Sequence, residues 1–476
     1  MGFLIMPKTA NKSAHKATSA VNIPEQVAAH RAFFRSGQTR PLAFRMQSLH
    51  RLQESIRHRQ RDILHALNKD FSKSSFEGYA TEVGYVLEEL SFTLKHLPEW
   101  VAPQTVPTPL VHQPATSAIY PEPYGVALIL APWNYPFQLV IAPLIGAIAA
   151  GNCALLKPSE FTPATTAILK EIVHQCFDPA HVSVVEGAVP ETQALLEERF
   201  DHIFFTGSTA VGRIVMEKAA KHLTPVVLEL GGKSPCIVDR GVNLEMTARR
   251  IAWGKFVNAG QTCVAPDYVY VPQELKAELI AALCVQIQSF YGQNPKSSAD
   301  YPRIISDSHF ERLSRLMQSG RVVFGGNSDA SCRYISPTLL DSVSWDDPVM
   351  QDEIFGPILP ILGYENLDEV FNEVASRPQP LALYFFSEDE ARQQRVLQEL
   401  SFGGGCINDT LVHLANPNLP FGGVGPSGMG AYHGKYSFDT FSHHKSVMHR
   451  QLRLDLPVRY PPYGAVKQQV IRQIFK

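Results

Sequence analysis

Between Glu122 and Lys157 the chain carries no charged residue, and the run GVALILAPWNYPFQLVIAPLIGAIAAGNCALL fills most of that interval. Its length alone would let a helix cross a bilayer. Its composition argues otherwise: Pro132, Pro136 and Pro143 interrupt it, and Asn134, Gln138 and Asn152 place polar groups inside it. It divides into an aliphatic segment at 126–130, a Pro-rich turn, a helix-like middle at 137–150 and a second strand-like segment at 153–156. A strand, a helix and a strand without charge belong in the buried layers of an α/β fold. No stable membrane insertion is expected of this run.

The length of 476 residues allows two or more domains with large cores, and excludes a small module stapled by disulfides or metal. Charged residues make up 18% of the chain, too few for a long polyelectrolyte. With 43 Lys and Arg against 45 Asp and Glu the net charge is −2, so charge supplies no argument for nucleic acid or anionic lipid as a partner. The seven cysteines, Cys153, Cys176, Cys236, Cys263, Cys284, Cys332 and Cys406, form no CxxC pair and no zinc-spaced cluster with histidine. No metal site is expected, and a reducing, cytoplasmic compartment is the simplest reading. The apolar start, residues 3–6, is too short for a signal peptide. The stretch to Asn22 has Lys8, Lys12 and Lys16 and no acidic residue, which leaves a transit peptide open beside a frayed terminus. Gly2 opens no myristoylation motif.

Before residue 120 the pattern predicts helices near 24–34, 43–68 and 77–97. The Pro-rich section 103–123, with a strand-like 117–120, reads as a protruding arm or an edge segment. From 126 onward, strands at 126–130, 153–156, 182–186, 202–205 and 226–230 alternate with helices, predicting a five-stranded, mostly parallel domain. A second α/β set follows, with helices at 244–258 and 274–290 and strands at 268–271, within 334–339, at 358–363 and at 383–386. Glycine-rich sections at 403–405 and 422–430 read as loops, and the stretch from Tyr432 as a surface extension.

Several segments carry candidate chemistry. FFTGSTAVG (204–212) leads from a strand into a helix, with Gly207, Ser208 and Gly212 at the turn. Such a turn lets backbone N–H groups and a helix N-terminus approach a phosphate, although it departs from G-x-G-x-x-G and is common without a ligand. At another strand end, Lys157 and Glu160 could hold a ribose by its hydroxyls, or be solvated loop charges. Cys263 follows the glycine turn Gly260-Gln261-Thr262, where local N–H groups can activate a thiol. A free cysteine is more often a small buried hydrophobe, and Cys153 and Cys236, within apolar runs, fit that description better.

The order of these motifs resembles the aldehyde dehydrogenase superfamily, and within it the class 3 branch, from about Arg31 to Ser446. The resemblance rests on PWNYPF (132–137), LKPSE (156–160), FFTGST (204–209), LELGGKSP (228–235), NAGQTCVAPDY (258–268), EIFGPILP (353–360) and LPFGGVGPSGMG (419–430). It implies an aldehyde dehydrogenase-like α/β fold: a Rossmann-type NAD(P)-binding domain (20–108 and 124–229), an α/β catalytic domain (230–430), and small β bridging or oligomerisation segments (109–123 and 431–450) before a tail (451–476). It implies Cys263 as nucleophile, Glu229 as base and Asn134 as oxyanion donor. Lys157 and Glu160 would hold the adenosine ribose, near the Gly207, Ser208 and Gly212 turn, and Glu353 and Phe355 would position the nicotinamide ribose and ring. Glu353 is a second candidate base.

NAD is the cofactor implied, with NADP also accepted. The partners implied are a small-molecule aldehyde and a second copy in a homodimer. Medium or long aliphatic or aromatic aldehydes suit the branch, with Tyr135, Phe137 and Trp253 as candidates for an apolar tunnel. His433, His443 and His444 read as solvated or interface histidines. The rival readings are a semialdehyde or CoA-acylating dehydrogenase, and a non-enzymatic binding or structural protein that keeps the fold.

Overall fold

The computed structural model describes residues 22–452, 455 and 457–475, so the lysine-bearing stretch 1–21 and its transit-peptide reading lie outside the described residues. Five strands, Val126–Leu130 (β1), Cys153–Lys157 (β2), Val182–Val184 (β3), His202–Thr206 (β4) and Val226–Glu229 (β5), lie parallel in the order β5-β4-β1-β2-β3. Every residue of β1 and β2 is buried, because helices cover both faces of a parallel sheet and leave no side for polar alternation. The helix Gln138–Ala150 is buried along its whole length and packs against Leu42–His58, Gly84–Trp100 and Lys435–Thr440. The charge-free run is therefore an inner layer. Among the described residues no helix is long and apolar enough to cross a membrane.

The second sheet contains Pro235–Val238 (β6), Tyr268–Pro272 (β7), Arg321–Phe324 (β8), Thr338–Asp341 (β9), Ile358–Tyr364 (β10), Ala382–Phe386 (β11) and Gly404–Ile407 (β12), in the order β8-β9-β10-β7-β6-β11-β12. Its pairs are parallel except at the β8 edge. A separate three-stranded antiparallel sheet joins Gln104–Val106, Ala115–Pro123 and Ser442–Arg450. The Pro-rich section thus forms a strand whose register runs from Ser442 opposite Pro123 to Arg450 opposite Ala115.

Several expectations need correction. The helix read at 43–68 is two, Leu42–His58 and Gln60–Phe71, because Arg59 leaves helical geometry at φ −93° and ψ 11°. The helix read at 77–97 starts at Ser75, contains a π-helical turn at Tyr79–Val83 and runs to Trp100. The first sheet has a sixth strand, since Gly428–Met429 (β13) returns from the glycine-rich end and pairs antiparallel with β5. Gly404 and Gly405, read as loop, lie in edge strand β12. A Cβ on Gly405 would sit 2.1 Å from the Leu383 carbonyl oxygen, so close backbone approach requires glycine there.

The stretch from Tyr432 is no surface extension at its start: Tyr432, His433, Phe438 and Phe441 are buried. Phe441 stacks on Phe204 of β4 at 5.9 Å, and its carbonyl accepts the Asn152 side-chain N–H at 2.9 Å. His433 lies parallel to Phe421 at 5.1 Å, so the solvated reading fails for it, whereas His443 and His444 are exposed.

Candidate active site

The carboxyl ends of β1, β2, β4 and β5 open onto a cavity of about 590 Å³. Open parallel sheets place ligands at this position, because side chains from loops after several strands converge there. Asn134, Lys157, Glu160, Gly207, Ser208, Glu229, Cys263, Glu353 and Phe355 all line it. Gly212 does not: it is buried in the helix Thr209–Ala220, where a Cβ would meet Leu230 at 2.7 Å. Its place in the structure is explained by helix packing.

At one end of the cavity Lys157 is buried and donates from Nζ to the Pro158 carbonyl at 2.9 Å, while Glu160 is exposed. Burial lowers the Lys157 pKa, and the Glu160 carboxylate opposes that shift. Ser208 caps the helix Thr209–Ala220 by accepting the Val211 N–H at 3.4 Å, leaving the N-terminus beside the cavity. Exposed Val211 and Ile214 supply an apolar shelf along that helix. This set fits a dinucleotide: a cationic and an anionic side chain for ribose hydroxyls, a helix N-terminus for phosphate, and an apolar surface for a base.

Cys263 lies at the other end, after an unusual turn. Asn258, Ala259 and Gly260 all have positive φ, at 53°, 51° and 72°, and two of them are not glycine. Such geometry costs about 1–3 kcal/mol per non-glycine residue and needs support. The Asn258 side chain donates to the carbonyls of Asn134 at 2.9 Å and Gln261 at 3.1 Å. Gln261 donates to the Asn258 and Arg303 carbonyls and accepts the Ile305 N–H. Tyr384 donates to the Val264 carbonyl at 2.5 Å on the far side of the cysteine.

Burial pushes the Cys263 thiol upward, and the nearby Glu229 and Glu353 add to the shift. In the cofactor-free protein, Cys263 should therefore react with iodoacetamide more slowly at pH 7 than a free cysteine does, and faster as pH rises. Peptide mass spectrometry of timed labelling checks this; fast labelling at pH 7 that is independent of pH would contradict it.

Glu229 ends β5, is 2% exposed, and leaves Oε1 with no hydrogen-bond partner. Burial raises its pKa well above the usual range. Glu353 packs against backbone, since a Cβ on Gly231 would meet its Oε2 at 2.0 Å. Burial foremost, with Asp267 adding, pushes Glu353 up to about 8. Its loop is tied down by Lys233, which pairs with Asp267 at 2.5 Å and donates to the Val349 and Asp352 carbonyls. Asp267 in turn accepts the Ile354 N–H at 2.9 Å. No hydrogen bond among the described residues engages the Asn134 side-chain amide, so its N–H groups are free toward the cavity.

The lining residues that the sequence reading did not name include Trp133, His309 and Arg312. Trp133 contacts Phe355 edge-on at 5.3 Å and His309 at 5.0 Å, and Arg312 donates to the Ile354 carbonyl at 2.6 Å. His309 and Arg312 lie on the helix Asp307–Leu316, which no expectation included, although Ser306 caps it and its apolar residues recur at helical spacing. Tyr135 bonds Thr262, Phe137 is fully buried and Trp253 is exposed on its helix, and none of the three lines this cavity.

A model of the aldehyde dehydrogenase family matches residues 5–447. The chain belongs to that family. It is 53% identical over 448 residues to the 4,4'-diaponeurosporen-aldehyde dehydrogenase of Staphylococcus aureus, covering 94% of this chain and 97% of the relative. It is 49% identical to aldehyde dehydrogenase family 3 member A2 of Mus musculus, covering 93% and 92% of the two chains. A solved substrate-bound structure of Staphylococcus aureus AldH superimposes with a TM-score of 0.94 at 52% identity, covering 95% of this chain and 99% of that one. These likenesses place this aldehyde dehydrogenase in the class 3-like branch, with its fold, as an NAD(P)-dependent oxidoreductase that oxidises aldehydes.

Proposed function

We propose that this aldehyde dehydrogenase works through a covalent Cys263 intermediate, with Asn134 and the Cys263 backbone N–H stabilising the oxyanion and Glu229 activating water. The reading is carried by one observation: Cys263, Glu229 and Asn134 face the same cavity that Lys157, Glu160 and Ser208 line at its other end.

Hydride cannot leave an aldehyde carbon easily until that carbon is tetrahedral. The Cys263 thiolate adds to the carbonyl carbon and gives a thiohemiacetal whose oxygen carries the developing charge. The Asn134 side-chain N–H and a backbone N–H supply donors for that oxygen, each worth about 3 kcal/mol in an oxyanion hole. A bound nicotinamide supplies the hydride acceptor. Glu353 and Phe355 shape the wall beside Cys263, and Trp133 holds Phe355 edge-on in its left-handed conformation, φ 51°. Loss of hydride leaves a thioester on Cys263. Glu229 takes a proton from water, which attacks the acyl carbon and releases the acid and the thiol.

The preferred substrates are medium or long aliphatic or aromatic aldehydes. The similar Staphylococcus aureus relative is named for 4,4'-diaponeurosporen-aldehyde, and Trp133, Leu130, Leu230 and Phe355 make much of the wall apolar. The protein works as a homodimer in a reducing cytoplasm. Support comes from the edge strand Ser442–Arg450, whose outer backbone groups lack a strand partner among the described residues, and from seven cysteines without a disulfide. The cofactor segments are 20–108 and 124–229, the catalytic segment 230–430 and the bridging segments 109–123 and 431–450. An NADH absorbance assay over a panel of aldehydes, with and without CoA, tests the reading. NADH formed only with CoA would favour acyl transfer over hydrolysis, and no NADH from any aldehyde would overturn the enzyme reading.

Glu160 sets cofactor preference. Its exposed carboxylate can accept a hydrogen bond from a ribose 2′-hydroxyl and repels a 2′-phosphate, favouring NAD while tolerating NADP. Glu160→Gln should shift the ratio of kcat/KM values toward NADP by about tenfold. Side-by-side kinetics with the two cofactors checks this, and a wild-type protein that used NADP more efficiently than NAD would reverse the assignment.

A further inference from the structure

Behind the Asn134 loop lies a charged pair that the reaction does not use directly. Lys73 and Glu82 are both wholly buried and joined at 2.6 Å. Glu82 sits in the π-helical turn Tyr79–Val83, a geometry often retained at functional sites. Burying two ions is costly unless further hydrogen bonds complete them, and here those bonds all lead toward Asn134. The second Glu82 oxygen accepts the N–H groups of Phe137 at 2.9 Å and Gln138 at 3.3 Å, fixing the loop immediately after Asn134. Lys73 Nζ lies 3.5 Å from the Asn134 carbonyl and 4.3 Å from the centre of the Tyr135 ring. The same carbonyl accepts from Asn258 in the nucleophile turn, and Tyr135 bonds the hydroxyl of Thr262, next to Cys263, at 2.7 Å.

The geometry assigns Lys73 and Glu82 as positioning residues that set the Asn134 amide against Cys263, with Tyr135 as the strut between the two loops. Two loops from different sheets must be held within a fraction of an ångström for Asn134 to meet the oxyanion, and main-chain contacts alone do not cross that gap. The Lys73–Glu82 pair is buried and bonded to the Asn134 carbonyl and to the N–H groups of Phe137 and Gln138 just after it. This inference rests on the oxyanion role proposed for Asn134.

The test replaces the pair together, Lys73→Met with Glu82→Leu, so that no lone buried charge remains, and separately makes Tyr135→Phe, which removes one hydroxyl. Misplacement on this scale costs about 100-fold in the chemical step. Single-turnover NADH formation should therefore slow about 100-fold in the double variant and about tenfold in Tyr135→Phe. NADH binding, followed by fluorescence, and aldehyde KM should change less than threefold. In an Asn134→Ala background both effects should shrink below threefold, because the group being positioned is gone. If Asn134→Ala alone turns over normally, its oxyanion assignment falls. If Asn134→Ala is slow but the other effects multiply undiminished upon it, or neither variant slows single turnover, the positioning proposal falls. Should the double variant fail to fold, the Tyr135→Phe cycle decides it.

Discussion

Cys263→Ala is expected to abolish NAD(P)-dependent aldehyde oxidation, lowering kcat by at least about 10⁴-fold, while the protein still folds and binds NADH. Removing a nucleophile that works as part of a unit costs about as much as removing the whole unit. The variant is sterically mild, because Cys263 is half-buried at a cavity wall and the turn before it is held by Asn258 and Gln261, not by the thiol. NADH fluorescence titration and a thermal unfolding scan would show the intact fold, and an aldehyde assay the lost activity. Wild-type turnover by Cys263→Ala would remove the covalent route altogether.

Glu229→Gln should separate the two halves of the reaction. Acylation does not need the carboxylate, so one NADH per site should appear in a burst. Deacylation should then slow by about 10² to 10⁴-fold, the usual range for loss of a general base, and intact mass should show Cys263 carrying the acyl group. We favour Glu229 as base because its Oε1 has no partner, whereas Glu353 is wedged against the Gly231 backbone. Burial disfavours the ionised form of Glu229, and the base must be ionised. Wild-type turnover should therefore rise with pH as Glu229 loses its proton, and this limb should vanish in the glutamine variant. Normal turnover by Glu229→Gln beside a burst and stall in Glu353→Gln would exchange the two assignments.

Much of this was legible without coordinates, for reasons that differ by segment. The strands 126–130 and 153–157 announce themselves because burial on both faces removes every charge. Asn134, Lys157, Glu160, Gly207, Ser208 and Glu229 sit in motifs that end strands, and strand ends are where an open parallel sheet presents its loops. Gly212 was misread because a glycine near a Gly-Ser turn looks the same whether it admits a phosphate or a leucine, and only the 2.7 Å approach of Leu230 distinguishes them. Gly404, Gly405, Gly428 and Met429 were misread as loop because glycine has low strand propensity, and strand pairing at a sheet edge overrides it.

The amino-acid sequence by itself determined the α/β class, the buried nature of the charge-free run, the family and the cysteine most suited to chemistry, since each depends on local composition or motif order. Only the tertiary structure decided that Trp133, His309 and Arg312 share the cavity with that cysteine, that Tyr432 and Phe441 lie in the core, and that Lys73 and Glu82 stand behind Asn134. Those facts depend on which loops the sheet order brings together. A lone lysine or glutamate in a helical stretch carries no sign of the partner that will be buried with it, because that partner is chosen by the packing of distant segments and not by its neighbours in the chain.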